Sequence, residues 1–216
     1  MAIADAVLIT EIFFSLQGES SRVGLPTVFV RLTGCPLRCG YCDSAYAFYG
    51  GEHKTYDQIL AEVAKYGAHY VCVTGGEPLA QKNCLPLLTR LCDAGYSVSL
   101  ETSGAMPIGD VDPRVSRIMD LKTPGSGEEA RNLLDNLPLL NAKDELKFVL
   151  TSEADYQWAK GMIETHHLTD LCPVLLSPIW DGLKPSDLAD WIVRDKLPVR
   201  MQVQLHKILW GEKPGV

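Results

Sequence analysis

Apolar residues recur along the chain with two periods. Val28–Leu32, Tyr70–Thr74, Ser97–Glu101, Ser116–Leu121, Glu145–Leu150, Pro173–Leu176 and Val199–Gln204 are short β-rich runs, and each predicts a strand. Between them, Thr55–Tyr66, Cys84–Ala94, Ser126–Asn136, Ala154–Thr165 and Ser186–Arg194 predict helices. In the first helix Ile59, Leu60, Val63 and Ala64 share one face. Thr55 with Gln58 has the form of a capping box, as does Ser126 with Glu129, and Gly95 stops the second helix. Strand–helix alternation points to βαβ units and a mainly parallel sheet. Helices are too few for a closed eightfold barrel, so the pattern predicts an α/β fold of the open, partial (β/α) barrel type.

Such folds carry their sites at the C-terminal ends of the strands. Five polar or glycine-rich motifs directly follow predicted strands: Thr74-Gly75-Gly76-Glu77-Pro78, Glu101-Thr102-Ser103-Gly104, Asp120-Leu121-Lys122, Ser177-Pro178 and Gln204-Leu205-His206-Lys207. All five are expected on one rim. Residues 1–216 read as a single domain, with a short N-terminal segment that serves the site and a C-terminal extension, Trp210–Val216.

Composition narrows the ligand. The chain of 216 residues is 46% hydrophobic and 22% charged, enough for a sizeable core. No apolar run approaches the roughly 18 residues of a membrane span. The first residues lack the basic-then-apolar pattern of a secretory signal, so a cytoplasmic protein is expected. A net charge of −7 speaks against a nucleic-acid surface and for a small-molecule ligand. The seven cysteines, an odd number, speak against a disulfide framework. Cys72, Cys84, Cys92 and Cys172 lie among apolar neighbours and read as small buried hydrophobes. His166-His167, at a helix end, read as a partner for the helix dipole or a surface pair.

The remaining cysteines cluster. Cys35-Pro-Leu-Arg-Cys39-Gly-Tyr-Cys42 is a C-x3-C-x2-C run. Three thiolates on one loop can ligate three irons of a [4Fe–4S] cubane and leave the fourth open to an outside ligand. Gly34 and Gly40 let the loop bend tightly. A zinc knuckle is the main alternative, but zinc sites take four ligands, and His53 is the nearest histidine. A redox pair at Cys39–Cys42 leaves Cys35 without a role.

With an aromatic residue, Tyr41, before its last cysteine, the run resembles the signature of the radical S-adenosylmethionine (SAM) superfamily. Val73–Pro78 resembles that superfamily's GGE motif. The resemblance implies that Gly76 and Glu77 bind SAM, with the carboxylate pairing to its amino group. Glu11-Ile-Phe-Phe-Ser-Leu-Gln-Gly-Glu19, Arg31-Leu-Thr-Gly-Cys35, Cys42-Asp-Ser44, Glu101–Gly104 and the late Gln-x-His-Lys are together similar to the 7-carboxy-7-deazaguanine synthase family. The similarity runs from Glu11 to Lys207.

That resemblance implies a radical-mediated ring contraction of 6-carboxy-5,6,7,8-tetrahydropterin to 7-carboxy-7-deazaguanine with loss of ammonia, in queuosine and related deazapurine synthesis. It implies a [4Fe–4S] cluster on Cys35, Cys39 and Cys42, catalytic SAM, and Mg²⁺ on Ser44. For SAM it implies Tyr41, Cys42, Asp43 and Ser103, with the segments Asp120-Leu121-Lys122 and Ser177-Pro178-Ile179-Trp180. For the substrate it implies Leu16, Gln17, Gly18, Glu19, Arg31, Thr74, Thr102, His206 and Lys207, the last two at the end of the final strand. Glu101 fits either the 2-amino-pyrimidinone edge of the pterin or a SAM ribose hydroxyl. Relatives often read Ser-Pro-Lys at Asp120–Lys122 and Gln-Pro at Ser177-Pro178, so this chain departs there. The resemblance also implies an external electron donor such as flavodoxin or ferredoxin, and a homodimer. A glycyl-radical activase is the rival within the superfamily, and a non-catalytic zinc module the rival outside it. Leu16–Glu19 and Arg31 favour a small substrate over the activase's protein partner.

Overall fold

A computed structural model describes residues 5–213 and 215. It contains one nine-stranded sheet in the order β3-β1-β2-β4-β5-β6-β7-β8-β9. Seven of these strands run parallel: β2 (Pro26–Leu32), β4 (Tyr70–Gly75), β5 (Ser97–Thr102), β6 (Ser116–Asp120), β7 (Glu145–Leu150), β8 (Val174–Pro178) and β9 (Arg200–Met201). They are the seven runs that periodicity picks out. β3 and β9 stand at opposite edges, so the sheet does not close into a ring.

The crossover helices explain the openness. α1 (Tyr56–Ala64), α2 (Cys84–Asp93), α3 (Glu153–Thr165), α4 (Leu168–Leu171) and α5 (Pro185–Asp195) cover some connections, but β5–β6 and β6–β7 have none. The Thr55/Gln58 capping box forms. Buried Ile59 and Val63 of α1 and Leu87, Leu88 and Leu91 of α2 join Val28, Val30, Val71 and Val73 of the sheet in one core. Tyr56 and Phe148 sit in the same core.

Four expectations change. Two further strands exist, β1 (Ala6–Leu16) and β3 (Glu52–Thr55), both antiparallel. Glu-His-Lys-Thr is an all-polar edge strand with no periodic signal. Ser126–Asn136 is not a helix. It breaks into 3₁₀ turns at Pro124–Ser126, Glu129–Arg131 and Leu134–Leu139. Gly127 takes φ +76°. The Ser126 hydroxyl donates to the Thr123 carbonyl instead of capping, and Asn136 donates to the Gly104 and Met106 carbonyls. The final strand is only Arg200–Met201, and His206 and Lys207 lie in a further helix, α6 (Leu205–Trp210). Cys72, Cys84 and Cys172 are buried, but Cys92 is only partly so. No helix among the described residues is long and apolar enough to cross a membrane.

Candidate active site

The C-terminal ends of the parallel strands open onto a cleft of about 680 Å³. Its first wall is the loop after β2. Gly34 turns the chain with φ +96°, its N–H donating to the Ala47 carbonyl at 2.8 Å and its carbonyl accepting from the Glu77 N–H at 2.8 Å. Leu37 is fully buried and anchors the middle of the loop, and the Gly40 N–H donates to the Ser126 carbonyl at 3.0 Å. Cys35, Cys39 and Cys42 are free thiols, and all three line the cleft. Burial raises the Cys35 and Cys39 thiols, while the Lys122 ammonium opposes the rise. No described trio of His, Cys, Asp or Glu is gathered as around one metal ion. A cubane takes its thiolates on separate irons, which three thiols on one loop suit.

The glycines after β4 bring backbone against this loop. A Cβ on Gly76 would run into the Gly34 carbonyl and lie 2.8 Å from Cys35 Cβ. Only glycine permits that approach. Glu77 behaves differently from expectation. Its side chain is fully buried and does not line the cleft. The carboxylate accepts from Thr102 Oγ1 at 2.9 and 3.0 Å, the Ser103 N–H at 2.6 Å, Ser103 Oγ at 2.5 Å and the Leu79 N–H at 2.9 Å. Its oxygens brace the turns after both β4 and β5. Leu121 also faces away: it is buried in the core, with its N–H on the Lys147 carbonyl at 2.8 Å. Every other residue assigned to SAM, substrate, cluster or Mg²⁺ lines the one cleft.

The second wall gathers distant segments. Glu101 accepts from Thr74 Oγ1 at 2.9 Å and from Gln17 Nε2 at 3.4 Å. Arg31 Nε donates to Glu11 at 2.7 Å, and its guanidinium carbon lies 5.7 Å from the ring centroids of both Phe13 and Tyr46. Burial opposes the charge on Arg31, but Tyr46 and Glu11 outweigh it and raise its pKa, so it stays cationic. Gly18 packs against the His206 ring, leaving no room for a Cβ, and its carbonyl accepts from the Leu205 N–H at 3.0 Å. Burial holds His206 below its ordinary pKa.

Several lining residues escape sequence reasoning. Phe13 and Phe29 stack with centroids 4.9 Å apart on the cleft side of the β1–β2 pair. Gln204, already expected on the rim, uses Nε2 to bridge Glu19 at 2.8 Å and Asp43 at 3.2 Å. Lys147 reaches Glu19 at 2.6 Å. For Lys147 a signal existed: one cation within the apolar run Glu145-Leu-Lys-Phe-Val-Leu150. At the cleft floor Asp120 takes Lys122 at 3.1 Å, yet its Oδ1 is buried without a hydrogen-bond partner. An orphaned buried acceptor points to a donor brought by a ligand.

Comparison with known proteins decides the lineage. The Radical SAM superfamily profile matches residues 29–122. The 7-carboxy-7-deazaguanine synthase of Chlorobaculum tepidum is 48% identical over 206 residues, covering 94% of each chain. That of Koribacter versatilis is 43% identical over 96% of this chain and 99% of its own. The chain belongs to the 7-carboxy-7-deazaguanine synthase family. The crystal structure of QueE from Escherichia coli superposes with a TM-score of 0.76 at 25% identity, over 93% of this chain and 95% of that one. Streptococcus suis SuiB bound to S-adenosylmethionine shares the fold alone, with a TM-score of 0.54 at 14% identity over 79% of this chain and 45% of its own.

A radical SAM enzyme of this family works with a [4Fe–4S] cluster and SAM. The residues present fit both groups: three free thiols on a pinned loop, a glycine approach at Gly76, and an unpartnered Asp120 oxygen at the cleft floor.

Proposed function

We propose that the cleft converts 6-carboxy-5,6,7,8-tetrahydropterin to 7-carboxy-7-deazaguanine and ammonia, a step of deazapurine synthesis. Loss of ammonia balances the conversion, so no net oxidant is needed. When bound and reduced, the cluster supplies the electron that breaks a carbon–sulfur bond of SAM. The chain's own residues bind, orient and shield.

One observation carries the reading. The three thiols and the Arg31–Glu101–Thr74 wall line the same cleft, so radical generation and an anion-reading, amide-reading surface share one chamber. Arg31 keeps its charge and spends only Nε on Glu11, which leaves the Nη edge for the substrate carboxylate. Glu101, steadied by Thr74 and Gln17, suits the 2-amino-pyrimidinone edge, which offers adjacent N–H donors. Leu16, Gly18, Thr102, His206 and Lys207 complete the substrate side. Tyr41, Asp43, Ser103, Asp120, Lys122 and the backbone of Ser177–Trp180 complete the SAM side. Lys207 and Gln204 hold Asp43 ionised against the opposing effect of its burial.

Mg²⁺ belongs to the same reading. Ser44 begins a short turn without capping it, and its hydroxyl faces only the Cys42 sulfur at 3.9 Å. A hydroxyl, substrate oxygens and waters make a suitable hard shell for Mg²⁺. A one-electron donor such as flavodoxin or ferredoxin and a homodimer are also part of the reading, carried by family resemblance. Anaerobic turnover of the pterin, with and without Mg²⁺, tests it. Formation of the deazapurine without net SAM loss, faster with Mg²⁺, is expected. SAM consumption with no deazapurine refutes the reading.

A further inference from the structure

β7 presents Leu146, Phe148 and Leu150 to the core, all fully buried, and Lys147 and Val149 to the cleft. An ammonium so enclosed is costly unless it is paired. Lys147 is paired twice. Its strand partner by register is Asp120, and its Nζ lies 3.6 Å from Asp120 Oδ2. The same Nζ lies 2.6 Å from Glu19 Oε2, in a segment 128 positions away along the chain. Lys122 also serves Asp120 and Gln204 also serves Glu19, but among the described residues only Lys147 bonds to both carboxylates.

The two carboxylates face different ligands in the reading given above. Glu19 ends the cleft-lining Leu16–Glu19 segment that family resemblance gives to the substrate, and Asp120 stands on the SAM side with one oxygen without a partner among the described residues. Catalytic SAM, part of that reading, requires that the hydrogen taken from C6 of the pterin by the 5′ carbon of SAM be returned, so both carbons must stay within reach through several steps. Reacting atoms sit about 3–3.5 Å apart in productive complexes, and a misplacement of about 1 Å costs roughly a hundredfold in rate. A rigid tie between the two walls meets that demand.

We propose that Lys147 is a positioning residue, which holds the substrate segment at Glu19 in register with the cofactor floor at Asp120 so that SAM cleavage stays coupled to ring contraction. The proposal rests on the carboxypterin reading.

The test compares wild type with Lys147→Met and with the paired variant Lys147→Met/Glu19→Gln, which leaves no surplus buried charge. Iron content and melting temperature verify folding. Wild type is expected to return SAM almost intact. Both variants are expected to release methionine and 5′-deoxyadenosine at about one or more per deazapurine formed, with product formation down roughly a hundredfold. Anaerobic calorimetric titration of the cluster-loaded proteins with the pterin, without SAM, is expected to show about tenfold weaker binding in both variants, the loss of about one charge-assisted contact. Lys147→Arg keeps the charge and is expected to restore part of the coupling. Wild-type SAM economy in either folded Met-containing variant overturns the proposal, even if its rate falls. Failure of the wild type itself to convert the pterin refutes the underlying reading instead, and the proposal with it.

Discussion

The two walls of the cleft are built in opposite ways. The cofactor wall is local: Cys35, Cys39 and Cys42 share one loop, and Gly75-Gly76 follow one strand. It is held by backbone, through Gly34, Gly40 and the buried Glu77 turn. The substrate wall is assembled over distance. Glu11 meets Arg31, Gln17 meets Glu101, Glu19 meets Lys147 and Gly18 meets α6. It is held by side-chain charge. In the proposed reading, radical generation rests on a local, backbone-held frame, while substrate choice rests on pairs that substitution can retune.

If this contrast is right, damage to the first wall should abolish chemistry, and damage to the second should mainly shift affinity. The largest effect is expected from Cys42→Ala. Without the third thiolate the cubane is not retained, so iron analysis and anaerobic turnover should both fall to background. Next comes Arg31→Met. Loss of a charge-assisted contact of about 1.5–3 kcal/mol should raise the pterin KM by about ten- to a hundredfold. Substrate-independent SAM cleavage should stay near wild type. A comparable fall in that cleavage would place Arg31 in the cofactor wall and blur the comparison.

Gly76→Ala is expected to destabilise by about 1–3 kcal/mol, because the new methyl meets the Gly34 carbonyl and Cys35. A lower melting temperature together with weaker iron retention would show that the two loops brace each other. Its rescue by a second substitution in the substrate wall would argue against separate walls.

The smallest effect concerns pH. His206 has a folded-state pKa below its ordinary 6.5, chiefly from burial. On acidification the unfolded chain therefore takes the proton first. The stability contributed by the neutral ring is present above pH 6.5 and is lost as pH falls below it. Melting temperature should drop over that window in the wild type, and His206→Gln should flatten the slope. An unchanged slope would show that the Gly18–His206 contact is not the source.

The same division explains what the sequence reveals. Cys35–Cys42 and Gly75-Gly76 are contiguous, so spacing alone exposes their chemistry, and the central parallel strands are legible as short apolar runs because they are largely buried. Glu77 shows that a motif records position but not which way a carboxylate turns. Here Thr102 and Ser103 capture it. β3 carries no periodicity to detect, and Gly127 with Asn136 overrides a plausible helix. The pairing of Lys147 and of Gln204 with Glu19 emerges only when folding brings these distant segments together. Long-range ion pairs leave no spacing to read.

Hydrogen return is the point at which both walls must act together. Anaerobic turnover of substrate carrying deuterium at C6, followed by mass analysis of the recovered SAM, follows that hydrogen through both walls. The account predicts undiminished SAM with deuterium at its 5′ carbon, alongside deazapurine and ammonia in equal amounts. Recovered SAM free of deuterium while deazapurine accumulates would contradict it, as would SAM consumed in step with each product.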